Sequence, residues 1–343
     1  MNDLDNKDIR QLDLLDENDE KNQDRRLFVL LIIFALTGIL LIGSTYAWFT
    51  ANRIVSVDAL NVNVQAEGGI EISVDGTNWK TIVKQDEIEG ATSTYATNDN
   101  QMPDKLEPVS TGGGTSNGLL NMYYGLITSN ESGEYIITST RSIEKRGDEG
   151  KFMAFDLFFK VDSGGDAYFT PETTALYKGT VNEGVQNAVR VAFVEQGNVP
   201  VGSSLGVIQG LKGASDSDVY IWEPNSNSHS ATGIKNAQDV YGLTISSNYS
   251  TLPYSGVINN ISDSSNITLG KANSTNYPAY FKTVDVDYST PTGFTENKKV
   301  WSFKPGITKM TVYIWIEGQD VDCENGSSSG DLEFKFQLTT NPA

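Results

Sequence analysis

In the stretch DLEFKFQLT, Leu332, Phe334, Phe336 and Leu338 alternate with Glu333, Lys335 and Gln337. A period of two marks a strand with one buried face. KMTVYIWIEG repeats the pattern, setting Met310, Val312, Ile314 and Ile316 against Thr311, Tyr313, Trp315 and Glu317. In FMAFDLFFKVD, Met153, Phe155, Leu157, Phe159 and Val161 point one way, yet Phe152 and Phe158 are apolar on the other side. That predicts a strand covered on both faces, as in the middle of a sandwich. AVRVAFVEQ, DVYIWEP, GIEISVDG and TVDVDY read as further strands. Val55, Val57, Val62 and Val64 alternate as well, and the phase slips near Ala59 and Leu60, which predicts a β-bulge. No long amphipathic helix stands out; VNEGVQNAVRV has room for one or two helical turns.

Loops rich in Gly, Ser, Thr and Asn, such as STGGGTSNG, DSGGDAY and NGSSSGD, separate these segments. Short strands punctuated in this way predict an all-β sandwich or barrel-like architecture. Residues 48–343 are many for one sandwich, so the pattern fits either one domain with long loops or two modules. The tetrapeptide Val-Tyr-Ile-Trp occurs at Val219 and again at Val312. Its flanks do not match further, so a single elaborate domain is the expectation.

A different pattern governs the opening of the chain. Leu27–Gly43 is almost unbroken apolar sequence, continuing with mild polarity to Phe49, and about 20 residues suffice to span a bilayer. Arg25 and Arg26 precede it and the next basic residue is Arg53, so the N-terminus is expected in the cytoplasm and the rest outside. Three parts follow: an acidic, mostly disordered cytoplasmic tail over 1–26, a transmembrane or signal helix over 27–47, and an extracellular β-sandwich over 48–343. Thr45-Tyr46-Ala47 offers small residues for signal cleavage after Ala47, whereas the long acidic tail is unlike a short basic leader. A retained anchor and a cleaved signal both fit. The expected location is therefore a single-pass membrane protein, or the cell surface and matrix after cleavage.

Composition narrows the chemistry. The 343 residues hold 44 Asp and Glu against 25 Lys and Arg, a net charge of −19. This argues against nucleic acid, which needs basic clusters. Cys323 is the single cysteine, so an internal disulfide is ruled out, and its acidic neighbours disfavour a reactive thiolate; it reads as structural. His229, the single histidine, lies in the loop NSNSHS and reads as solvated. A two-histidine zinc protease is out of reach, and no P-loop or dinucleotide fingerprint occurs. Paired carboxylates for glycoside hydrolysis leave no sequence spacing to test. Arg146-Gly147-Asp148 spells an adhesion tripeptide, of a kind that arises by chance at this length.

The candidate metal site is DVDCENGSSSGD, where Asp320, Asp322, Glu324 and Asp331 stand at positions 1, 3, 5 and 12 of a calcium-loop frame. Asn325 replaces the usual glycine, Asp331 the usual glutamate, and strands rather than helices flank it. An acidic hairpin loop explains the stretch equally well. Calcium is the only cofactor the sequence suggests.

Gly43-Ser-Thr-Tyr-Ala-Trp-Phe49, closing an apolar run before an alternating segment, resembles the leader of TasA/camelysin-like exported surface or matrix proteins of Gram-positive bacteria. These carry a SipW-dependent type of signal peptide. Ile314–Cys323, IWIEGQDVDC, also looks like a pattern in surface proteins with such leaders. The resemblance covers these two stretches. It implies a jelly-roll-like domain that, in fibre-forming members, donates the segment after the cleavage site to the sheet of the next subunit. Here that segment would be about Trp48–Val64. The acidic tail departs from the family's simple leaders, and a camelysin-type protease activity finds no histidine ligands here.

These readings give a non-enzymatic cell-surface or biofilm-matrix protein, self-associating into fibres and meeting the membrane through its N-terminal helix. The alternative is an anchored adhesin or carbohydrate-binding protein, with Trp222, Tyr313 and Trp315 stacking on a glycan or host-surface ligand. A surface hydrolase using a carboxylate pair comes third.

Overall fold

The computed structural model describes residues 57–178, 184–215, 217–241, 244–245, 251–323 and 331–342. The expected tail over 1–26, the apolar segment over 27–47, the cleavage position after Ala47 and the start of the donor segment lie outside these, as does Glu324. The chain divides into two units, Met1–Thr45 and Tyr46–Ala343, and every described residue belongs to the second. No helix among the described residues is long and apolar enough to cross a membrane.

The strands are, in chain order, β1 (Val57–Ala66), β2 (Glu71–Ser73), β3 (Ile82–Lys84) and β4 (Lys105–Leu106). Next come β5 (Thr115–Ser116), β6 (Leu119–Leu120), β7 (Met122–Ser129) and β8 (Tyr135–Ser142). β9 (Met153–Val161), β10 (Gly165–Phe169), β11 (Thr174–Lys178), β12 (Val189–Val199) and β13 (Val219–Pro224) follow. The last are β14 (Tyr254–Val257), β15 (Phe281–Val284), β16 (Tyr288–Thr290), β17 (Lys298–Phe303), β18 (Gly306–Ile316) and β19 (Asp331–Thr339).

Two large sheets dominate. Sheet I runs β17-β10-β19-β1-β3, with β11 also on β19 and β4 also on β1; sheet II runs β16-β13-β12-β18-β9-β2. Their inner faces share one core. Val62 and Val64 of β1 and Leu332, Phe334, Phe336 and Leu338 of β19 meet Phe155 and Phe159 of β9 and Val312 and Ile314 of β18. The parity read from the sequence therefore places these residues inside. An aromatic cluster fills the centre: the Phe193 ring lies 4.6 Å from Trp301, and Phe169 lies 5.0 Å from Trp222. The β1–β19 register shifts between Leu60 and Val62, so the slip in the valine alternation is a real irregularity of the pairing.

β18 is buried at every position. Its second face, with Ala192, Val194 and Ile221 of the neighbouring strands, is covered by Val109, Leu120, Met122, Tyr254 and Val284. These belong to the small pairs β5-β6, β7-β8 and β14-β15 and the loops around them. The long loops thus form a covering layer, and Phe152 and Ala154 face it. Trp222, Tyr313 and Trp315 are fully buried. The expectation that they stack on glycans is overturned, because both faces of sheet II are used for packing. VNEGVQNAVRV supplies one 3₁₀ turn, Val185–Asn187. The 11-residue helix Ala231–Tyr241 has no counterpart in the sequence reading, its apolar positions being few and mostly small.

Truncating Phe193 to Ala removes the ring that touches Phe169, Trp301 and Phe336. A loss of about 3–5 kcal/mol in unfolding free energy is expected from denaturant titration.

Candidate functional site

Two buried polar constellations interrupt the apolar packing of sheet II. The first is built on IWIEGQDVDC. Glu317 follows β18 directly, and its backbone N–H donates to the Ala188 carbonyl at 2.8 Å. Its carboxylate accepts the Trp315 indole N–H and the Gln319 backbone N–H, each at 3.0 Å. Arg190 of β12, opposite Trp315 in register, is fully buried. Arg190 Nη2 lies 2.9 Å from Glu223 Oε1 and 2.5 Å from Asp320 Oδ2. Its Nη1 donates to the carbonyls of Asn187 and Val189. Asp322 takes the Ser230 backbone N–H at 2.8 Å on Oδ1 and sits 2.7 Å from His229 Nδ1 through Oδ2.

Ser230 precedes the helix Ala231–Tyr241, so Asp322 lies against its N-terminus, where the peptide dipoles favour negative charge. A β-carbon at Gly233 would collide with Asp322 Oδ1, so only glycine lets the first helical turn approach. The His229 side chain is 3 % exposed. Its reading as a solvated loop histidine is corrected: the loop folds inward to meet Asp322.

Of the candidate calcium ligands, Asp320 and Asp322 are adjacent and bonded to protein partners, with the Asp322 N–H donating to Asp320 Oδ1 at 2.8 Å. Asp331 instead opens β19, and its register partners are Asp58 and Lys178. Among the described residues no group of three or more His, Cys, Asp or Glu is arranged to hold a metal ion. Cys323 is buried.

The second constellation surrounds a cavity of about 260 Å³ against the outer face of sheet II. Its floor is Ala154 and Asp156 of β9 with Thr311 and Tyr313 of β18. Lys309 Nζ lies 2.9 Å from Asp156 Oδ2 and donates to the Tyr95 hydroxyl at 2.8 Å. It also donates to the Leu211 carbonyl at 3.1 Å. The Tyr95 hydroxyl stands 3.0 Å from Asp156 Oδ2, and Thr311 Oγ1 donates to Asp156 Oδ1 at 2.7 Å. Both Asp156 oxygens are thus occupied. Burial, with Asp156 alongside, pushes the Tyr95 hydroxyl well above the usual phenol range.

Tyr313 accepts the Leu120 backbone N–H at 3.1 Å and donates to Glu144 Oε1 at 2.8 Å. Burial raises the Glu144 carboxyl, and nearby Asp99 raises it further. Sequence reasoning missed this site because its members come from strands and loops far apart along the chain. The signal available was a charge inside each doubly apolar strand, Asp156 in FMAFDLFF and Lys309 in KPGITKM.

Compared with protein-family models, curated proteins and solved structures, the chain matches none.

Burial pushes the Glu223 and Glu317 carboxyls up to about 7, against the pull of Arg190 on both and the hydrogen bonds to Glu317. An unfolded glutamate titrates near 4.5, so between these values the folded chain holds protons that the unfolded chain has released. Stability is therefore expected to fall as pH rises from about 5 to about 8, by up to about 1.4 kcal/mol per unit for each such group. Denaturant midpoints across that window check this, and Glu317→Gln should flatten the slope. Arg190→Met leaves Glu223 and Asp320 without their cation and should cost about 3–5 kcal/mol.

Proposed function

We propose that the chain is a non-enzymatic cell-surface or extracellular-matrix structural protein of a Gram-positive bacterium. In this reading its exported part is a jelly-roll-like sandwich. Its apolar leader is removed after Ala47, and subunits join into fibres by donation of the segment about 48–64. The observation that carries the reading is the position of β1. It follows the leader in sequence, yet lies inside sheet I, parallel to β19 on one edge and antiparallel to β3 and β4 on the other. Val62, Val64 and Ala66 fill the core from it. The same strand from a neighbouring copy would meet the same ladders and pockets, which is the physical basis of strand exchange.

A second reading, an anchored surface protein that binds a ligand, is favoured by the polar cavity. With the Trp222 and Trp315 side chains buried, that cavity, which Tyr313 helps to line, takes the place of the surface aromatics as binding site. A surface hydrolase would have to use carboxylates other than Asp156, which is locked by Lys309, Tyr95 and Thr311.

Asn63 and Lys335 are register partners on adjacent strands. Such strands lie about 4.8 Å apart, within the span of a disulfide. The double variant Asn63→Cys with Lys335→Cys should form filaments in negative stain when reduced and remain monomeric when oxidised. Filaments assembled from monomers already closed by the intramolecular disulfide would rule out strand donation. The native protein recovered from its own cells should have the mass of the chain from Trp48. A full-length mass in the membrane fraction would replace the fibre by a tethered role.

A further inference from the structure

Lys309 of β18 and Asp156 of β9 sit on adjacent antiparallel strands. They lie diagonally across the ladder, since Lys309 is opposite Phe158 and Thr311 opposite Asp156. Each residue is only 7 % exposed. The ammonium group lies near the rings of Tyr95 and Phe158, 5.4 and 5.9 Å from their centroids. An ion pair placed in this way has given up most of its hydration, and mutual attraction offsets that loss only in part. The arrangement holds an amine against a carboxyl, with both largely shielded from solvent. The chain has one cysteine, so an internal disulfide cannot tie its strands together.

The two Asp156 oxygens are held differently. Oδ1 accepts the Thr311 hydroxyl at 2.7 Å, which draws electron density from the carboxyl carbon, as a donor aimed at a developing oxyanion does. Oδ2 lies 2.9 Å from Lys309 Nζ and accepts the Tyr95 hydroxyl at 3.0 Å. Nζ in turn donates to that hydroxyl at 2.8 Å. The phenol thus bridges the pair, placed to take a proton from the amine while giving its own to Oδ2. With a C–O bond of about 1.2 Å, Nζ lies within about 4 Å of the Asp156 Cγ carbon. Reacting atoms are productive at about 3–3.5 Å, and the flexible lysine stem covers the difference.

We propose that Lys309 and Asp156 condense to an intramolecular amide that ties β18 to β9. Nζ, relieved of one proton through Tyr95, attacks Cγ; the Nζ–Cγ bond forms and the Cγ–Oδ2 bond breaks. Two of the three ammonium protons end on Oδ2, which leaves as water, and the third stays on the amide nitrogen. Nothing is oxidised or reduced, and no co-reactant is consumed. Oδ1 becomes the amide oxygen, still bonded to Thr311, and the amide N–H keeps an acceptor in the Leu211 carbonyl or the Tyr95 oxygen. Both residues line the cavity on sheet II, which gives the water a way out. The bond lies within one subunit, so this proposal and the fibre reading fail separately.

The test is mass spectrometry of the full-length chain, purified in a non-ionic detergent and denatured before measurement. The expected mass is that of the sequence less one water. Proteolysis should release a branched peptide joining the segment around Lys309 to the segment around Asp156. Lys309→Met and Asp156→Ala should each restore the missing water. Tyr95→Phe keeps the ring without the hydroxyl, and Thr311→Val keeps the shape without the donor; each should lower the cross-linked fraction of freshly made chain several-fold. Melting curves check the fold of each variant, and the branched peptide from the unaltered chain carries the test where a variant fails to fold. A chain with no water missing overturns the proposal. So does a deficit that persists in Lys309→Met, which would mark a dehydration elsewhere, or a branched peptide with other ends. An undiminished fraction in both Tyr95→Phe and Thr311→Val overturns the chemistry assigned to them.

Discussion

Strand β18 is buried on both faces over its whole length, and the architecture is arranged around covering it. Met310, Val312, Ile314 and Ile316 meet sheet I, while Tyr313 and Trp315 meet the layer built from β5-β6, β7-β8 and β14-β15. A strand with one solvated face would need no such layer, and the long stretches between β4 and β9 and between β13 and β17 could be ordinary loops. Here they are packing elements. The site follows from the same constraint, because the cavity lies where this layer leaves Asp156, Thr311 and Tyr313 only partly filled in.

Charge limits how such a strand can be placed. The outer face of β18 reads Lys309, Thr311, Tyr313 and Trp315 and ends at Glu317, so a charge stands near each end. Each is met inside the protein: Lys309 by Asp156 and Tyr95, Glu317 by Trp315 and the turn that follows. A slip of one residue would turn Lys309 into the aromatic core and strand both charges, since side chains alternate faces strictly. Buried ion pairs contribute little net stability compared with apolar packing. Their effect here is on register, which they make a matter of all or nothing.

The sequence was informative where periodicity reports burial. The alternation in β19 told inside from outside over its first half, whereas in β18 it picked out the face that meets sheet I and missed the burial of the other face; the apolar residues on both sides of Phe155 announced a covered strand. The irregularity in β1 was also legible, because a bulge must shift the phase. Whatever depends on meetings between distant residues was not. Trp222 and Trp315 look like surface aromatics until the covering layer is known, and nothing near His229 points to Asp322. The acidic run from Asp320 resembles an open cation loop, yet Arg190, which turns part of it inward, lies 130 positions away. Glu144 carries no local mark at all; its neighbours Ile143 and Lys145 are exposed.

The parallel pairing of β1 with β19 joins the earliest described strand to the latest. Contacts this remote in sequence form slowly, because the intervening chain must be closed into a loop before they stabilise anything. Sheet II, whose central strands β9, β12 and β18 pair antiparallel, takes only the short edge strand β2 from so early in the chain. Sheet I has no complete middle until β19 exists. During synthesis in the N-to-C direction, β1 is therefore the first of the described strands to be made; β3 and β4 can cover one of its edges early, but the backbone groups of the edge that faces β19 stay open to any passing strand until the end.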